Sequence, residues 1–287
     1  MSLPASAPAP DVARPHDPYA ALRVPSFRWF VVSLLAMTGA AQVQTVVVAW
    51  QIYAATRDPL LLGLTGLAEA VPFIGVALLA GHVADRADRR RVSLRALAGL
   101  AACALALLAL TLRAPTAGAR VALTYAVVFA SGVARSFLQP ARNALSADIV
   151  PRAIYPNAVA WRSSTWQSAA VVGPAAGGLL YGFAGAAVSY AVVAALMLVA
   201  LGAMARVAPP RREAPRPEAS VAESLRSGLR FVWRERIILG ALSLDLFSVL
   251  FGGATALLPI FAADILHVGP EGLGALRAAP GARCSPR

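Results

Sequence analysis

Long apolar segments separated by short polar segments make up most of the sequence. The hydrocarbon core of a bilayer accommodates about 20 residues of an α-helix, and a helix satisfies its backbone hydrogen bonds within itself. Seven segments are apolar over such a length: 27–53, 60–80, 92–112, 121–138, 163–183, 186–205 and 237–263. The pattern therefore predicts an all-α, polytopic membrane protein.

Composition supports a membrane protein and argues against a soluble one. Of the 287 residues, 58% are hydrophobic and 14% are charged, whereas soluble domains have about 25% charged residues. The chain has two cysteines, which are too few for a disulfide framework. We therefore expect the apolar residues to face lipid as well as a protein core.

The basic residues are all arginines, and they are distributed unevenly between the two sides of the predicted bilayer. Twenty lie in or beside the amino-terminal segment and the second-to-third, fourth-to-fifth and sixth-to-seventh connections, and six lie on the other side. By the positive-inside rule, this distribution predicts a cytoplasmic amino terminus, and we expect the protein in the cell (inner) membrane. The net charge of +12 is thus interpreted as an orientation signal, and no nucleic-acid partner is predicted.

The predicted spans divide the chain into five regions. Residues 1–26 form a cytoplasmic segment, 27–206 a six-helix bundle, 207–236 a linker, 237–263 the seventh span, and 264–287 a non-cytoplasmic tail. The linker contains four prolines near its start and then apolar residues at helical spacing, which predicts a basic amphipathic helix on the inner leaflet. The alternative is a cytoplasmic extension of the seventh helix.

A charged motif lies in the short turn between the second and third spans. Its acidic and basic residues are placed where two helices leave the membrane, so they can pair there and act as a latch that holds one conformation. The alternative is a basic cluster that only sets the topology. The motif comprises Gly81, Asp85, Arg86, Asp88, Arg89 and Arg90.

This motif resembles the signature loop of the major facilitator superfamily, Gly-x-x-x-Asp-Arg-x-Gly-Arg-Arg, with Asp88 in place of the usual glycine. The replacement is typical of one branch, the transmembrane secretion effectors, which include enterobactin-exporter-like proteins. Segments 44–53, 139–145 and 157–161 also resemble this branch and follow in the expected order. The resemblance covers 19–280 and implies the six-helix amino-terminal bundle of the major facilitator fold plus a seventh helix.

The resemblance has two further implications. Related transporters pair the loop aspartate with an arginine of the fourth span, so Arg135 or Arg142 is expected to pair with Asp85. The superfamily also has twelve helices in two similar halves, with a cavity between them. Because no eighth span follows the seventh, we expect this chain to be a fragment of a longer exporter and the tail 264–287 to be aberrant.

The fifth span contains a glycine-rich motif, Gly173, Pro174, Gly177 and Gly178. Small residues four apart let helix backbones approach closely, and proline permits a bend. The stretch also resembles the Gly-Pro-x-x-Gly-Gly motif of exporters in the superfamily, which implies outward transport. Plain helix packing, without directional meaning, is the alternative.

Two carboxylates lie inside predicted spans, where each charged group costs about 3 kcal/mol or more. Glu69 lies in the second span and Asp245 in the seventh; either is a candidate proton or substrate site, with hydrogen bonding inside the bundle as the alternative. Gln42 and Gln44 are candidate cavity-lining residues. The proposed energy source is a proton gradient.

Several classes of protein are excluded. The chain has no lysine and hence no phosphate-binding loop of the ATPase type, and its three scattered histidines suggest no metal site. No catalytic residues, enzyme activity or cofactor are predicted. We expect a secondary transporter that exports a small amphipathic solute, such as a drug or siderophore; a non-transporting product or a seven-span sensor is the alternative. The predicted partners are the lipid bilayer and a small-molecule substrate, and the oligomeric state is left open.

Overall fold

The computed structural model describes residues 17–113, 116–208, 230–231, 233–251 and 257–282. All regular elements in these ranges are helical. The longer helices are α1 (Pro25–Thr56), α2 (Pro59–Arg86), α3 (Arg89–Arg113), α4 (Ala117–Asp148), α5 (Tyr155–Ala205), α6 (Arg236–Phe251) and α7 (Pro270–Ala282). Most of the predicted linker 207–236 and the first 16 residues lie outside the described part of the chain.

Short polar junctions separate the first three helices. Arg57 ends α1 in the left-handed region, with φ of 51°, and Asp58 begins α2 by accepting a hydrogen bond from the backbone N–H of Leu60 at 2.8 Å. Asp88 begins α3 in the same way, because its Oδ1 accepts from the N–H groups of Arg90 and Arg91 at 2.9 and 3.2 Å. An aspartate in this position satisfies donors that a helix leaves unpaired at its start.

The longest helix, α5, is a hairpin of two arms that meet at Gly185. Its φ of 76° lies outside the helical region, and only glycine adopts such a conformation without strain. The first arm runs parallel to α1, since Gly173 lies at Gln42 and Gly177 lies further along α1, at Val46. The second arm runs antiparallel to α1: the Oγ of Ser33 donates to the carbonyl of Ala200, and the hydroxyl of Tyr190 donates to Oε1 of Gln51, both at 2.8 Å. The arms correspond to the predicted fifth and sixth spans.

Five of the described helices are long and apolar enough to cross a membrane. One of them is the α5 hairpin, which supplies two crossings, so the segment to residue 205 supplies six. The predicted seventh span begins as α6, but residues 252–256 lie outside the described ranges. After them come a helical turn, Leu258–Ile260, and a π-turn, Phe261–Ile265.

The bundle core lies between α1, α3, α4 and the second arm of α5. Phe27, Phe30, Leu97, Tyr190 and Met197 are almost completely buried there. Large apolar side chains are also exposed along the outer faces of the helices, which is the arrangement expected where lipid replaces water. The all-α, polytopic membrane fold predicted from the sequence is therefore confirmed.

Part of the segment predicted to be an aberrant tail is ordered and packs on the bundle. Helix α7 lies against the first arm of α5, with Gly178 and Gly274 at their point of contact. A Cβ added to Gly274 would lie 2.7 Å from the carbonyl oxygen of Pro174 and 3.0 Å from the Cα of Gly178. The contact was not predicted from the sequence, because α7 has 13 residues and the search for apolar segments selected only those long enough to span a membrane.

Candidate functional site

A cavity of about 190 Å³ lies between α1, α4 and α5. Helix α4 lines it with four residues at the spacing of one helical face. Helix α1 supplies five residues, two of them with hydroxyl groups and one with an amide. The lining residues used below are Met37, Thr38, Gln42, Arg135, Gln139, Arg142 and Trp166.

A second cavity, of about 560 Å³, adjoins the first. Arg142 and Trp166 line both cavities, so the two spaces meet at these side chains. The second cavity adds the guanidinium of Arg162 and polar side chains such as Ser163 and Gln167. Together the walls combine an aromatic ring, hydroxyls, amides and positive charge.

An ion pair connects α2 and α4 at the wall of the first cavity. Nη1 of Arg135 donates to Oε1 of Glu69, and the two side chains are 25% and 33% exposed. The helices approach closely here because Gly132 has no side chain: a Cβ on it would lie 2.5 Å from the carbonyl oxygen of Glu69 and 2.7 Å from Cγ of Pro72. The predicted candidate Glu69 is thus held beside the cavity by a specific partner.

Arg142 differs from Arg135 in having no carboxylate partner among the described side chains. Its Nη1 lies 3.9 Å from Sδ of Met37, and sulfur is a weak acceptor. Its Nε is buried without a hydrogen-bond partner, as is Oγ1 of Thr38 on the same cavity wall. Arg162 nearby donates to Oγ of Ser146 at 2.7 Å.

The charged loop between α2 and α3 connects to the ends of other helices of the same bundle. Nη1 of Arg89 pairs with Asp148 at the end of α4 at 2.7 Å. Nη2 of Arg90 donates to the carbonyl oxygen of Ala205, at the end of α5, at 2.5 Å. These contacts fasten the ends of α3, α4 and α5 together.

Some of the predicted loop contacts lie elsewhere or outside the described side chains. Arg142, which was grouped with the loop, lines the cavities instead. The side chain of Asp85 lies outside those described, so its predicted pairing stays a prediction. Gly81 has open space around its Cα, and Arg86 is exposed as the last residue of α2.

A model of the transmembrane secretion effector family, a branch of the major facilitator superfamily, matches residues 16–284. The chain belongs to this family. A similar solved structure is the in meso crystal structure of the POT family transporter PepTSo, with 16% sequence identity and a TM-score of 0.57. That likeness supports the fold alone. It covers 92% of this chain and 55% of that one, so this chain spans about half the length of the transporter. A search of curated proteins gave no significant match.

Membership in the secretion effector family confirms the resemblance inferred from the loop motif. It identifies the chain as a multi-pass membrane protein of a transporter family rather than an enzyme, and it implies contact with the lipid bilayer. The family-specific Asp88 has a clear local role here, since it caps the first turn of α3. A glycine would leave those N–H groups without a side-chain acceptor.

The glycine-rich motif of α5 lies between two partner helices. Gly173 and Gly177 face α1: added Cβ atoms would lie 2.5 Å from Cβ of Gln42 and 3.0 Å from Cα of Val43. Gly178 faces α7, and a Cβ added to it would collide with the carbonyl oxygen of Pro270. The motif therefore permits close packing on two sides of the same helix.

The other predicted site residues are not all at the cavity. Gln42 lines it, whereas Gln44 is buried in α1 and lines neither cavity. Asp245 is exposed on α6, and no described side chain forms an ion pair with it.

Several cavity residues were missed by the sequence analysis. Trp166, Thr38 and Gln139 were not chosen, and Arg162 was counted only as a topology signal. The spacing of the α4 residues 135, 138, 139 and 142 follows a single helical face, and that pattern was the available clue.

Proposed function

We propose that this chain forms part of a secondary transporter that exports a small amphipathic solute in exchange for protons. The observation that carries the proposal is the Glu69–Arg135 ion pair at the wall of the cavity. A carboxylate that alternates between a proton and a guanidinium as its partner provides a direct link between protonation and helix packing. The mixed polar and aromatic lining suits an amphipathic solute.

The proposed coupling step changes only one contact. When the carboxylate of Glu69 binds a proton, its negative charge is lost and the attraction of Arg135 is weakened. Because Gly132 brings α2 and α4 together at this level, a weaker ion pair favours a different packing of these two helices. Release of the proton restores the pair and the original packing.

The proposal also includes the direction of transport and the orientation of the chain in the membrane. The likeness of the Gly173–Gly178 stretch to the Gly-Pro-x-x-Gly-Gly motif of exporters in the superfamily supports the exporter interpretation. The uneven distribution of arginine supports a cytoplasmic amino terminus in the cell membrane. In this orientation the loop that contains Arg89 and Arg90 lies on the cytoplasmic side, with the linker 207–236.

Flux in proteoliposomes tests the proposal. The purified full chain is reconstituted with a pH-sensitive dye inside, and a panel of cationic, neutral and anionic aromatic solutes is added under an imposed pH gradient. We expect at least one solute to move with a counter-flow of protons, and Glu69→Gln to abolish the proton movement. Asp17→Asn is the matched control, because Asp17 pairs with the exposed Arg23 and neither residue lines a cavity.

Two results would overturn the proposal. Solute flux that is unchanged after the pH gradient collapses would exclude proton coupling. Absence of flux for every solute in the panel would favour the alternative of a non-transporting membrane protein or a seven-span sensor.

A further inference from the structure

We propose that the two cavities form a binding site for an organic anion, in which Arg142 pairs with the carboxylate, phosphate or sulfonate of an amphipathic solute. The proposal deepens the proposed function, since it names the class of solute, and it rests on that function for its biological meaning. The binding site itself is defined by side chains of this chain and is testable by binding alone.

First, the guanidinium of Arg142 lacks strong hydrogen-bond acceptors among the described residues. Arg142 is half-buried, and proteins usually neutralise a charge that is shielded from water with an ion pair or hydrogen bonds. Among the described residues, the Nε of Arg142 is buried with no hydrogen-bond partner, and Nη1 has only the weak acceptor Sδ of Met37, at 3.9 Å. An incoming anion would supply the missing acceptors.

The second step is the net charge of the walls. Among the described lining residues of both cavities there is no aspartate or glutamate. Arg135 is neutralised by Glu69 behind it, which leaves Arg142 and Arg162 as a net positive charge. Arg162 uses one of its donors on the neutral Oγ of Ser146 and keeps its charge.

The third step is the placement of groups around Arg142. Oγ1 of Thr38 is buried without a partner and lies in the wall of the same cavity, where a hydroxyl can donate to an anion. The ring of Trp166 lines both cavities and offers an aromatic face for the apolar part of the solute. Guanidinium, hydroxyl and indole together match an aromatic carboxylate better than a cation or a neutral solute.

Equilibrium dialysis of the full chain in detergent tests the site with two probes of the same shape, 2-naphthoate and 2-naphthamide. We expect 2-naphthoate to bind at least about tenfold more tightly, which corresponds to about 1.4 kcal/mol. Arg142→Gln should bring the two affinities within about twofold of each other, because it removes the charge-assisted contact. Binding of 2-naphthamide should be unchanged, and this serves as the check that the variant is folded.

Two more variants separate a specific site from general positive charge. Arg152→Gln removes one positive charge from an exposed position outside the cavities and should leave the preference for 2-naphthoate intact. Thr38→Val should weaken 2-naphthoate by about two- to threefold, an effect expected for one lost hydrogen bond of about 0.5 kcal/mol or more, with little effect on 2-naphthamide.

Defined outcomes overturn the anion site. These are equal binding of the two probes, no measurable binding of 2-naphthoate at millimolar concentration, or an Arg152→Gln effect as large as that of Arg142→Gln. The outcome is independent of the flux experiment. If the protein prefers 2-naphthoate but shows no flux, the anion site stands and the transport proposal fails. If the protein shows flux but binds the two probes equally, the transport proposal stands and the anion site fails.

Discussion

Two arginines on one face of α4 have opposite surroundings. Arg135 and Arg142 are seven residues apart, which places them about 10.5 Å apart along the helix axis and within about 20° of the same direction around it. Both line the first cavity. Arg135 has a carboxylate partner in Glu69, whereas Arg142 has, among the described side chains, only the sulfur of Met37 as an acceptor.

The difference shows how this bundle separates a packing role from a binding role. Where α2 approaches α4 at Gly132, the arginine is neutralised and the two helices are joined. Two turns further on, Arg142 points toward α1, which offers no carboxylate among its described residues at this level. The same residue type on the same helix is thus part of a helix contact in one case and a free charge in the other.

Removal of one partner of the ion pair should have the largest effect on stability. Glu69→Gln leaves Arg135 uncompensated and should lower the free energy of unfolding by about 2–3 kcal/mol, somewhat less than the 3–5 kcal/mol of fully buried pairs. The double variant Glu69→Gln with Arg135→Gln should recover more than half of that loss. Unfolding of the detergent-solubilised protein measures each value, and strictly additive effects would contradict the pairing.

A side chain at Gly132 should disturb the contact between α2 and α4, because it would collide with the backbone of α2. Gly132→Ala places a methyl group 2.5 Å from the carbonyl oxygen of Glu69 and should cost about 1–2 kcal/mol, as overpacking does. Gly99→Ala is the matched control, because its Cβ would meet Cβ of Ala134 at an ordinary 3.6 Å. A stability loss at Gly99 equal to that at Gly132 would show that close approach is not the cause.

A carboxylate introduced beside Arg142 should neutralise its charge, as Glu69 neutralises Arg135. Met37→Glu places a carboxylate where the sulfur now contacts Nη1, and it should weaken 2-naphthoate binding by about tenfold, or about 1.4 kcal/mol. Met37→Gln has a similar shape without the charge and should have a much smaller effect. If both variants weaken binding equally, the shape of the cavity rather than its charge determines affinity.

The pair at the end of the bundle should have the smallest effect. Arg89 and Asp148 are about as exposed as Glu69 and Arg135, at 33% and 30%, but they lie at helix ends where water can solvate them. Arg89→Gln should therefore cost only about 0.2–1 kcal/mol and less at high salt. Unfolding at two salt concentrations measures this, and a salt-independent cost near that of Glu69→Gln would mean that the loop is shielded from water.

The sequence was sufficient to predict the helices because their apolar length is a local property. The first six predicted spans agree with the helices to within a few residues at many ends, although α4 continues ten residues beyond the predicted end at Leu138. The continuation carries Gln139 and Arg142, which are polar and were therefore assigned outside the membrane. Polar residues that face a cavity interrupt the apolar pattern without ending the helix.

The partners of the charged residues were not predictable in the same way. Glu69 was selected because a carboxylate inside a span is costly, but its pairing with Arg135 depends on α2 and α4 being neighbours at Gly132. Asp245 was selected on the same grounds and is exposed on α6. The free-energy cost of a carboxylate in a span depends on its neighbours in the folded protein, so it cannot be assigned from the position of the residue in the sequence alone.

The one-residue corner of α5 has a mechanical consequence. A connection of several residues would give two neighbouring helices enough slack to move separately, but Gly185 is the only non-helical residue between the arms. Because α7 contacts the first arm at Gly178 and α1 holds the second arm at Ser33, we expect a shift of α7 to strain the contact between the second arm and α1. The short corner would in this way couple α7 to the contact between Ser33 and the other arm of the hairpin.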